Sequence, residues 1–529
     1  EIRSTLQNIA QNSITTSLSQ RFQEDTDRAA RYSADVGPLF VDYSKQHIDK
    51  DILATLCTLA RDTGVPEQFA ALRAGAHLNN TEDRATNYPS LRRWAVDGKS
   101  SDHAINEMYS SMAKLVAAVH SGELTGATGK AFTDVVNIGI GGSDFGPRLV
   151  CDALANQGDG ILNAHFAANI DPSVITEILA TVPAETTLFI VASKSFGTQE
   201  TRSNANAARA WLSSTLNCKN VDQHFVAVTS KPSAAKNFGI KEELILCTPE
   251  WVGGRFSLWS SFGLAVALCF GMDNFRAILQ GGHAIDLHVE HTPLEDNVPV
   301  ILGLLDVWYR NAWGISSQAV LPYEHHLKLL PIYLQQLFME SAGKSVSRDG
   351  EVLKYGTGGV IWGTEGTNGQ HSFHQLLHQG SDTIPCDFIA SLRSYNPVGE
   401  QHQNLIANCF SQSLVLMQGQ SAADIKQTLI NNGTGPEEAT QLAQHKAMLC
   451  NRPSTTILMR QLDASALGAL IALYEYRLFT ASFVWGINPF DQWGVELGKQ
   501  ISQTLMGALS GDDVSSLDSS TAQLIARYQ

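Results

Sequence analysis

The sequence predicts an α/β protein with two domains, each built on a parallel sheet that helices cover on both faces. Three observations support this prediction. The chain has 529 residues, which is too many for one small hydrophobic core. Short apolar runs rich in β-branched residues alternate with helical patterns, which is typical of parallel sheets. A glycine-rich turn directly follows one of these runs, at residues 139–143, and ligands of such sheets bind at that position.

The predicted strands fall into two groups, and each group defines one predicted domain. Residues 103–290 form the first, smaller domain and residues 291–510 the second, larger one. Residues 1–102 are predicted to be helical and to pack on the larger domain, and residues 511–529 to form a helical tail. The predicted strands are residues 135–138, 187–192 and 225–228 in the first domain, and 318–321, 359–362, 383–389 and 455–458 in the second.

The composition is that of a soluble globular protein, with 43% hydrophobic and 17% charged residues. A net charge of −15 argues against a general nucleic-acid binder, although a local positive pocket can still bind an anionic substrate. We find no apolar run as long as a transmembrane helix and no signal-peptide pattern, so we expect a cytoplasmic protein without a membrane partner. The eight cysteines contain no C-x-x-C pair and are expected to be mostly buried free thiols.

The glycine-rich turn predicts an anion site. A strand, a tight turn with Gly142 and Ser143, and a helix start together direct unpaired backbone N–H groups at one point. The turn is not a dinucleotide fingerprint, because Asp144 stands where the third glycine is required. The segment 343–345 ends like a Walker A loop, but Phe338 occupies the place of its first glycine. An ordinary strand–turn–helix without a ligand remains the alternative.

A second turn, at residues 193–201, is rich in hydroxyl groups and also follows a predicted strand. Ser193, Ser195 and Thr198 could donate hydrogen bonds to phosphate oxygens, together with the backbone N–H groups of the next helix. The alternative is a cluster of helix-capping side chains, since serine and threonine favour that position anyway. Two such turns in one domain favour a phosphate site.

Six motifs follow one another along the chain, namely IGIGGS at 138–143, SKSFGTQET at 193–201, VGGRFS at 252–257, MESAGK at 339–344, GTNGQH at 366–371 and PFDQWGVELGK at 489–499. By these motifs and the polar loop that includes Thr81, which occur in the family's order between residues 81 and 499, the chain resembles the phosphoglucose isomerase family. The resemblance implies two sugar-isomerase (SIS) domains with αβα sandwich architecture, no metal or cofactor, and a homodimer whose Gly-Gln-His histidine reaches the neighbouring subunit's site. It implies the reversible conversion of glucose 6-phosphate to fructose 6-phosphate through a cis-enediol.

Moving a carbonyl group between C1 and C2 of a sugar requires a base that carries a proton between the two carbons. Glu340 is the candidate base, and its apolar neighbours could desolvate it. Arg255, behind two glycines, could stabilise the charge of the enediolate. His371 and Lys499 are the candidate acid–base pair that opens the sugar ring. A helix-end glutamate and an arginine that binds a carboxylate are the structural alternatives, and the resemblance decides against them.

The remaining site residues are predicted by resemblance alone or together with the two turns. Glu496 is expected one helical turn from Lys499, where it could orient the ammonium group. The predicted substrate- and phosphate-binding residues are Gly142, Ser143, Ser193, Lys194, Ser195, Thr198, Gly254, Gln336 and Gln492.

Two other functions compete with an isomerase. His371, His374 and His378 have the spacing of one helix face, as metal ligands often do, which would suit a metal-dependent enzyme. No matching carboxylate–histidine pattern accompanies them. A non-catalytic SIS protein that senses phosphosugars would need the two turns but not the four candidate catalytic residues together, and all four are present.

The sequence also departs from the family's pattern. Ser195 and Gly197 stand where the family commonly has threonine, so the affinity for phosphate could differ. After the polar loop at residues 79–85 the chain continues with 86–89 (TNYP) instead of a valine and a nearby histidine, which makes the packing of that loop uncertain.

Overall fold

Two sheets form the framework of the larger of the two units into which the chain divides, Glu1–Pro489 and Phe490–Gln529. The computed structural model describes residues 6–10, 16–155 and 160–529. The strands are β1 (Ser33–Val36), β2 (Leu39–Asp42), β3 (Asp134–Ile138), β4 (Asn163–Ala167), β5 (Thr187–Ala192), β6 (Phe225–Thr229), β7 (Ile245–Cys247), β8 (Ser317–Tyr323), β9 (Val360–Trp362), β10 (Cys386–Ser391) and β11 (Ser454–Met459).

The first sheet has five parallel strands in the order β4-β3-β5-β6-β7. The second has six strands in the order β1-β2-β11-β10-β8-β9. Strands β8 to β11 are parallel, whereas the β1–β2 hairpin joins β11 in antiparallel direction. The predicted α/β class with parallel sheets is therefore confirmed. The domain boundaries at residues 102, 290 and 510 stay predictions.

Helices of the larger unit pack against both sheets. Helices α9 and α11 contact the first sheet, and α15 contacts β8, β10 and β11 of the second. The α-helices are α1 (Leu18–Glu24), α2 (Arg28–Arg31), α3 (Lys50–Asp62), α4 (Val65–Arg73), α5 (Tyr88–Asp97), α6 (His103–Ser121), α7 (Phe145–Leu154), α8 (Pro172–Thr181), α9 (Gln199–Thr215), α10 (Pro232–Asn237), α11 (Leu264–His291), α12 (Val298–Val307), α13 (Leu330–Leu334), α14 (His374–Gln379), α15 (Gln401–Gln418), α16 (Ala422–Asn431), α17 (Pro436–Lys446), α18 (Ala464–Trp485) and, in the smaller unit, α19 (Glu496–Leu509) and α20 (Ser519–Tyr528).

Helix α18 lies in the core and packs against α11 and α12. Glycine allows the backbones of α18 and α11 to touch. A Cβ atom on Gly468 would overlap the carbonyl oxygen of Ile278, and one on Gly281 would overlap the carbonyl oxygen of Ser465. Any larger side chain at either glycine would push the two helices apart.

Two helical segments reach the length and apolar composition of a membrane span, contrary to the sequence analysis. They are Ser261–His291 and Ala464–Trp485. Burial accounts for their composition, because 61% of the first apolar window and 100% of the second are buried inside the protein. A helix buried in a protein core has apolar side chains on all its faces, as a membrane-spanning helix does, because neither of them meets water.

The N-terminal segment is not wholly helical, because β1 and β2 form a hairpin around Gly37, whose φ is +58°. The Gly-Pro pair at positions 37 and 38 was the available turn signal. The sequence analysis also missed β4 and β7. β4 is a partly exposed edge strand and β7 has only three residues, so neither shows a long buried apolar run.

All eight cysteines are free. As predicted, most of them are buried, namely Cys57, Cys151, Cys269, Cys386 and Cys409. Burial raises the pKa of the Cys57 and Cys409 thiols to about 12, which makes both poor nucleophiles.

Candidate active site

The glycine turn follows β3 as predicted. The buried strand ends at Ile138, a short 3₁₀ turn spans Gly141–Ser143, and α7 begins at Phe145. Gly141 has a φ of +59°, a conformation that glycine adopts without strain. The side chain of Asn137 donates a hydrogen bond of 2.9 Å to the carbonyl oxygen of Ser143, which fixes the turn against its own strand.

The same turn touches the loop that carries Arg255. A Cβ atom on Gly142 would overlap the carbonyl of Gly254 and lie 2.6 Å from the backbone nitrogen of Arg255. Glycine at position 142 is therefore required for the two loops to meet. A Cβ atom on Gly141 would lie 3.0 Å from Nε2 of Gln336, so this amide stands beside the turn. The structure thus brings together four of the predicted site residues, Gly142, Gly254, Arg255 and Gln336.

The hydroxyl-rich turn follows β5, also as predicted. The hydroxyl groups of Ser193 and Thr198 lie 3.1 Å apart, and Gly197 donates its backbone N–H to Oγ of Ser195 at 3.3 Å. Thr198 is the N-cap of α9, yet its side chain makes no capping hydrogen bond. The capping alternative therefore does not account for Thr198. Two hydroxyl groups and the start of a 17-residue helix face the same short turn, which suits a phosphate group.

Lys194 adds a positive charge to this turn. Burial lowers the pKa of its ammonium group to about 8, and the charge of nearby Arg84 acts in the same direction. The carboxylates of Glu82 and Glu250 partly offset that effect. A half-buried lysine of this kind is charged at neutral pH, and a bound phosphate dianion would stabilise that charge.

Glu340 ends a π-helical turn, Gln335–Glu340, which continues α13. Such turns are frequent at functional sites because they shift side chains out of the regular helical spacing. The side chain of Glu340 is 23% exposed, and its Oε2 atom is buried without a hydrogen-bond partner among the described residues. This oxygen lies 3.8 Å from Nη1 of Arg255, which is close enough for attraction but too far for a hydrogen bond.

Arg255 is buried and fixed from two sides. Its Nε donates a hydrogen bond of 2.6 Å to Oγ of Ser341, and its Nη2 donates one of 2.6 Å to the carbonyl oxygen of Pro489. The sequence analysis did not single out Ser341 or Pro489. The only signal for Ser341 was its place between Glu340 and Lys344 in a matching motif.

The altered segment at residues 86–89 reaches the same loop. Tyr88 begins helix α5 and is buried, and its ring lies 4.8 Å from that of Phe256. Its hydroxyl oxygen accepts a hydrogen bond of 3.3 Å from the backbone N–H of Gly253. The departure from the family's pattern therefore gives the Arg255 loop an aromatic support.

The three histidines do not share one helix, contrary to the sequence analysis. His371 is exposed in a 3₁₀ turn, Asn368–His371, and α14 begins only at His374, because the chain between them is not helical. Nδ1 of His374 and Nε2 of His378 both bond to Oε1 of Gln412, at 3.0 and 2.7 Å. Across the described ranges, no group of three or more histidine, cysteine or acidic residues could hold a metal ion.

Some predicted site residues are not brought together. No hydrogen bond or ion pair joins His371 to Glu340 or Arg255 in the part of the chain that the structure describes. Gln492 and Lys499 belong to the smaller unit, Phe490–Gln529. There Nζ of Lys499 lies 2.7 Å from Oε1 of Glu496, so the predicted pairing one helical turn apart is confirmed.

Comparison with known proteins decides the family. The family model for phosphoglucose isomerase matches residues 42–525. The chain belongs to the phosphoglucose isomerase family. It is 47% identical over 519 residues to the glucose-6-phosphate isomerase of Shewanella halifaxensis, which covers 97% of this chain and 95% of that protein. It is 46% identical over 513 residues to the glucose-6-phosphate isomerase of Saccharophagus degradans, with 97% and 94% covered.

A solved structure agrees with this assignment. The crystal structure of a glucose-6-phosphate isomerase from Chlamydia trachomatis matches with a TM-score of 0.84 at 29% identity, over 100% of this chain and 98% of that one.

Proposed function

We propose that this chain catalyses the reversible isomerisation of D-glucose 6-phosphate and D-fructose 6-phosphate, a step of glycolysis and gluconeogenesis. The observation that carries the proposal is the pair formed by Glu340 and Arg255. A carboxylate oxygen without a hydrogen-bond partner lies 3.8 Å from a buried, fixed guanidinium group. A free base next to a fixed positive charge is what proton transfer through a cis-enediolate needs.

The reaction has three steps. The hydroxyl turn and Lys194 bind the phosphate, while His371 and Lys499 exchange the protons that open the sugar ring. Glu340 then removes the proton from C2, and the electron pair of that C–H bond forms the C1–C2 double bond of the enediolate. Arg255 stabilises the negative charge on oxygen. Glu340 finally returns the proton to C1 while a proton passes from O2 to O1, which leaves a hydroxyl group on C1 and the carbonyl at C2.

The same proposal includes the remaining substrate-binding residues, the cofactor requirement, the cellular location and the oligomeric state. Gly142, Ser143, Gly254, Gln336 and Gln492 complete the binding site. The proposed reaction needs no redox cofactor, because no electrons leave the substrate, and it needs no metal, because Arg255 is assigned the charge of the enediolate that a metal ion would otherwise stabilise. We place the protein in the cytoplasm as a homodimer.

The geometry of the site does not support the alternative function, a non-catalytic sensor of phosphosugars. A sensor would bind phosphate through the turn at residues 193–198 without a base or a fixed arginine. Here the arginine is buried at 3% side-chain exposure, at the cost of desolvating a charge. A binding module has no need of that cost, whereas a catalyst uses the charge on an anionic intermediate.

Proton exchange in deuterium oxide tests the function directly. Purified protein is incubated with glucose 6-phosphate, with and without a chelator, and followed by proton NMR. We expect fructose 6-phosphate to form, deuterium to enter C2 of the aldose and C1 of the ketose, and the chelator to change neither rate. A protein that binds the sugar phosphate without any exchange would be a sensor, and loss of exchange with the chelator would restore the metal-dependent alternative.

Mixed dimers test whether the site is shared between subunits. If His371 serves the partner's site, Glu340→Gln and His371→Ala chains are each nearly inactive as homodimers, since each site lacks one group. When the two chains are refolded together, one site of a mixed dimer carries both changes and the other carries none. Activity should then return to roughly a quarter of wild type if half of the dimers are mixed. Mixed dimers without recovered activity would place His371 in its own subunit's site.

A further inference from the structure

The segment that follows Glu340 is bonded to a side chain from another part of the chain. Its helical turn ends at Ala342, and the last carbonyl groups of a helix have no partner within that helix. The hydroxyl oxygen of Thr357, in the loop before β9, lies 2.7 Å from the carbonyl oxygen of Ala342 and 2.7 Å from that of Lys344. Its one hydrogen is thus shared between two backbone acceptors that directly follow the base. Thr357 therefore closes the end of the turn that carries Glu340.

Thr357 is itself fixed, because its loop is bonded to a third segment. Nε of Arg310 donates a hydrogen bond of 2.6 Å to the carbonyl oxygen of Thr357, and the side chain of Asn311 donates one of 2.8 Å to that of Gly356. Arg310 and Asn311 belong to a π-helical turn, Trp308–Ala312, which continues α12. Thr357 is buried, so water does not compete for its hydroxyl group. The hydroxyl thereby ties the turn of the base to helix α12.

Packing alone does not hold this turn in place. A cavity of about 50 Å³ borders it, and Phe338, Ala342 and Gly358 belong to the lining. A void removes the van der Waals contacts on its side, so it leaves the turn room to shift. The position of Glu340 therefore depends on the hydrogen bonds that close the turn.

We propose that Thr357 is a positioning residue for the reaction, because its hydroxyl fixes the turn that carries the base. The proposal rests on the function proposed above. Proton transfer needs the base within hydrogen-bond reach of the proton, and a misplacement of about 1 Å can cost about 10²-fold in rate. Oε2 of Glu340 lies 3.8 Å from Nη1 of Arg255, the arrangement that the proposed reaction uses. Without the hydroxyl, the turn can move toward the cavity and carry the base away from the substrate.

Kinetics of Thr357→Val provide the first test. Valine has nearly the same size but no hydroxyl, and we expect kcat to fall roughly tenfold with KM within about twofold. Thr357→Ser keeps the hydroxyl and should retain kcat within about twofold of the wild type. Thr187→Val is the matched control and should leave kcat unchanged. It also removes a buried hydroxyl that donates to a backbone carbonyl, that of Pro183 at 2.6 Å, but at the start of β5.

A deuterium isotope effect shows which step the hydroxyl serves. Deuterium at C2 of glucose 6-phosphate slows the steps in which Glu340 moves that proton. For Thr357→Val the isotope effect on kcat should equal or exceed that of the wild type, because proton transfer becomes slower relative to ring opening and product release. If Thr357→Val does not fold, as judged by thermal unfolding, Thr357→Cys replaces it. Its thiol is a weak donor, and we expect kcat to fall roughly threefold with the same isotope effect.

The outcomes separate the two proposals. An unchanged kcat in Thr357→Val, or in Thr357→Cys where the valine variant does not fold, would overturn the positioning role. A serine variant as slow as the valine variant, a loss confined to KM or a smaller isotope effect would also overturn it, since the hydroxyl would then not serve proton transfer. A wild-type protein that forms no fructose 6-phosphate from glucose 6-phosphate would instead refute the proposed function.

Discussion

The turns after β5 and β10 occupy the same place in the two sheets. The strand orders β4-β3-β5-β6 and β9-β8-β10-β11 are equivalent, so β5 and β10 are matching inner strands. Ser193 donates its backbone N–H to Val228 at 3.0 Å, and Leu392 donates to Met459 at 2.8 Å, at the same point of each ladder. The fifth residue of each turn, Gly197 in the first and Asn396 in the second, donates its backbone N–H to the hydroxyl of the serine two residues earlier. The two backbones therefore begin alike.

The side chains of the two turns differ, although their backbones begin alike. Where the first turn has Ser193, the second has Leu392, which is 50% exposed. The first turn enters α9 directly after Thr198, whereas the second continues through Pro397 before α15 begins. The first turn therefore offers two hydroxyl groups next to a helix start, and the second offers an exposed apolar side chain. Equivalent topology supplies a possible anion site, but only the sequence of the turn makes it one.

The second sheet contributes its chemistry elsewhere. Glu340 lies between β8 and β9, and His371 follows β9. In the function that we propose, the turns after β3 and β5 of the first sheet bind the phosphate, and the second sheet carries the base; Arg255, which follows β7 of the first sheet, is the exception. Changes in the hydroxyl turn after β5 should therefore affect phosphate binding, and changes at Glu340 should affect turnover.

The largest expected effect is on the proton-transfer side. Glu340→Gln keeps the size of the side chain but removes the proton acceptor. We expect kcat to fall at least ~10²-fold, the usual scale for a general base, with the binding of a hexitol 6-phosphate within about twofold. Steady-state kinetics and calorimetry measure the two quantities. Near wild-type turnover would show that another group is the base.

A smaller effect is expected on the phosphate side. Replacing Ser193 and Thr198 together by alanine should weaken phosphorylated ligands by roughly 1–3 kcal/mol, the value of hydrogen bonds to a charged group. Inhibition by a phosphate-free polyol should change far less. Ser394→Ala, which removes the serine of the second turn that corresponds to Ser195, is the control and should affect neither ligand. If the double variant weakens both ligand types equally, the first turn is structural and the contrast between the turns disappears.

The sequence predicted the parts of this site that are local and could not predict those that depend on long-range packing. The glycine turn and the hydroxyl turn could be predicted because each is a cluster of glycine or hydroxyl residues that directly follows an apolar strand. The restraint on Arg255 joins residues 86 and 234 positions apart, and no spacing rule reports such contacts. The three histidines were placed on one helix because their spacing fits, but the helix starts only at His374. Periodicity alone does not locate a helix start.

The smallest effect separates charge from hydroxyl groups within the first turn. Burial and Arg84 lower the pKa of Lys194 from its ordinary 10.5 to about 8. In the free enzyme this lysine therefore loses its charge above about pH 8. We expect the affinity for a hexitol 6-phosphate to fall by less than about tenfold between pH 7 and pH 9, while the affinity for the phosphate-free polyol stays constant.

Lys194→Met is the variant that decides this prediction. It should bind the hexitol phosphate more weakly at pH 7 and show no further loss at pH 9. The sign for stability is opposite, because between pH 8 and 10.5 the unfolded chain binds more protons at this lysine than the folded one. The contribution of Lys194 to the free energy of unfolding therefore rises with pH in that window. A wild-type affinity that stays flat across pH 8, measured by calorimetry, would mean that Lys194 does not contact the phosphate and that the hydroxyl groups and backbone of the turn bind it alone.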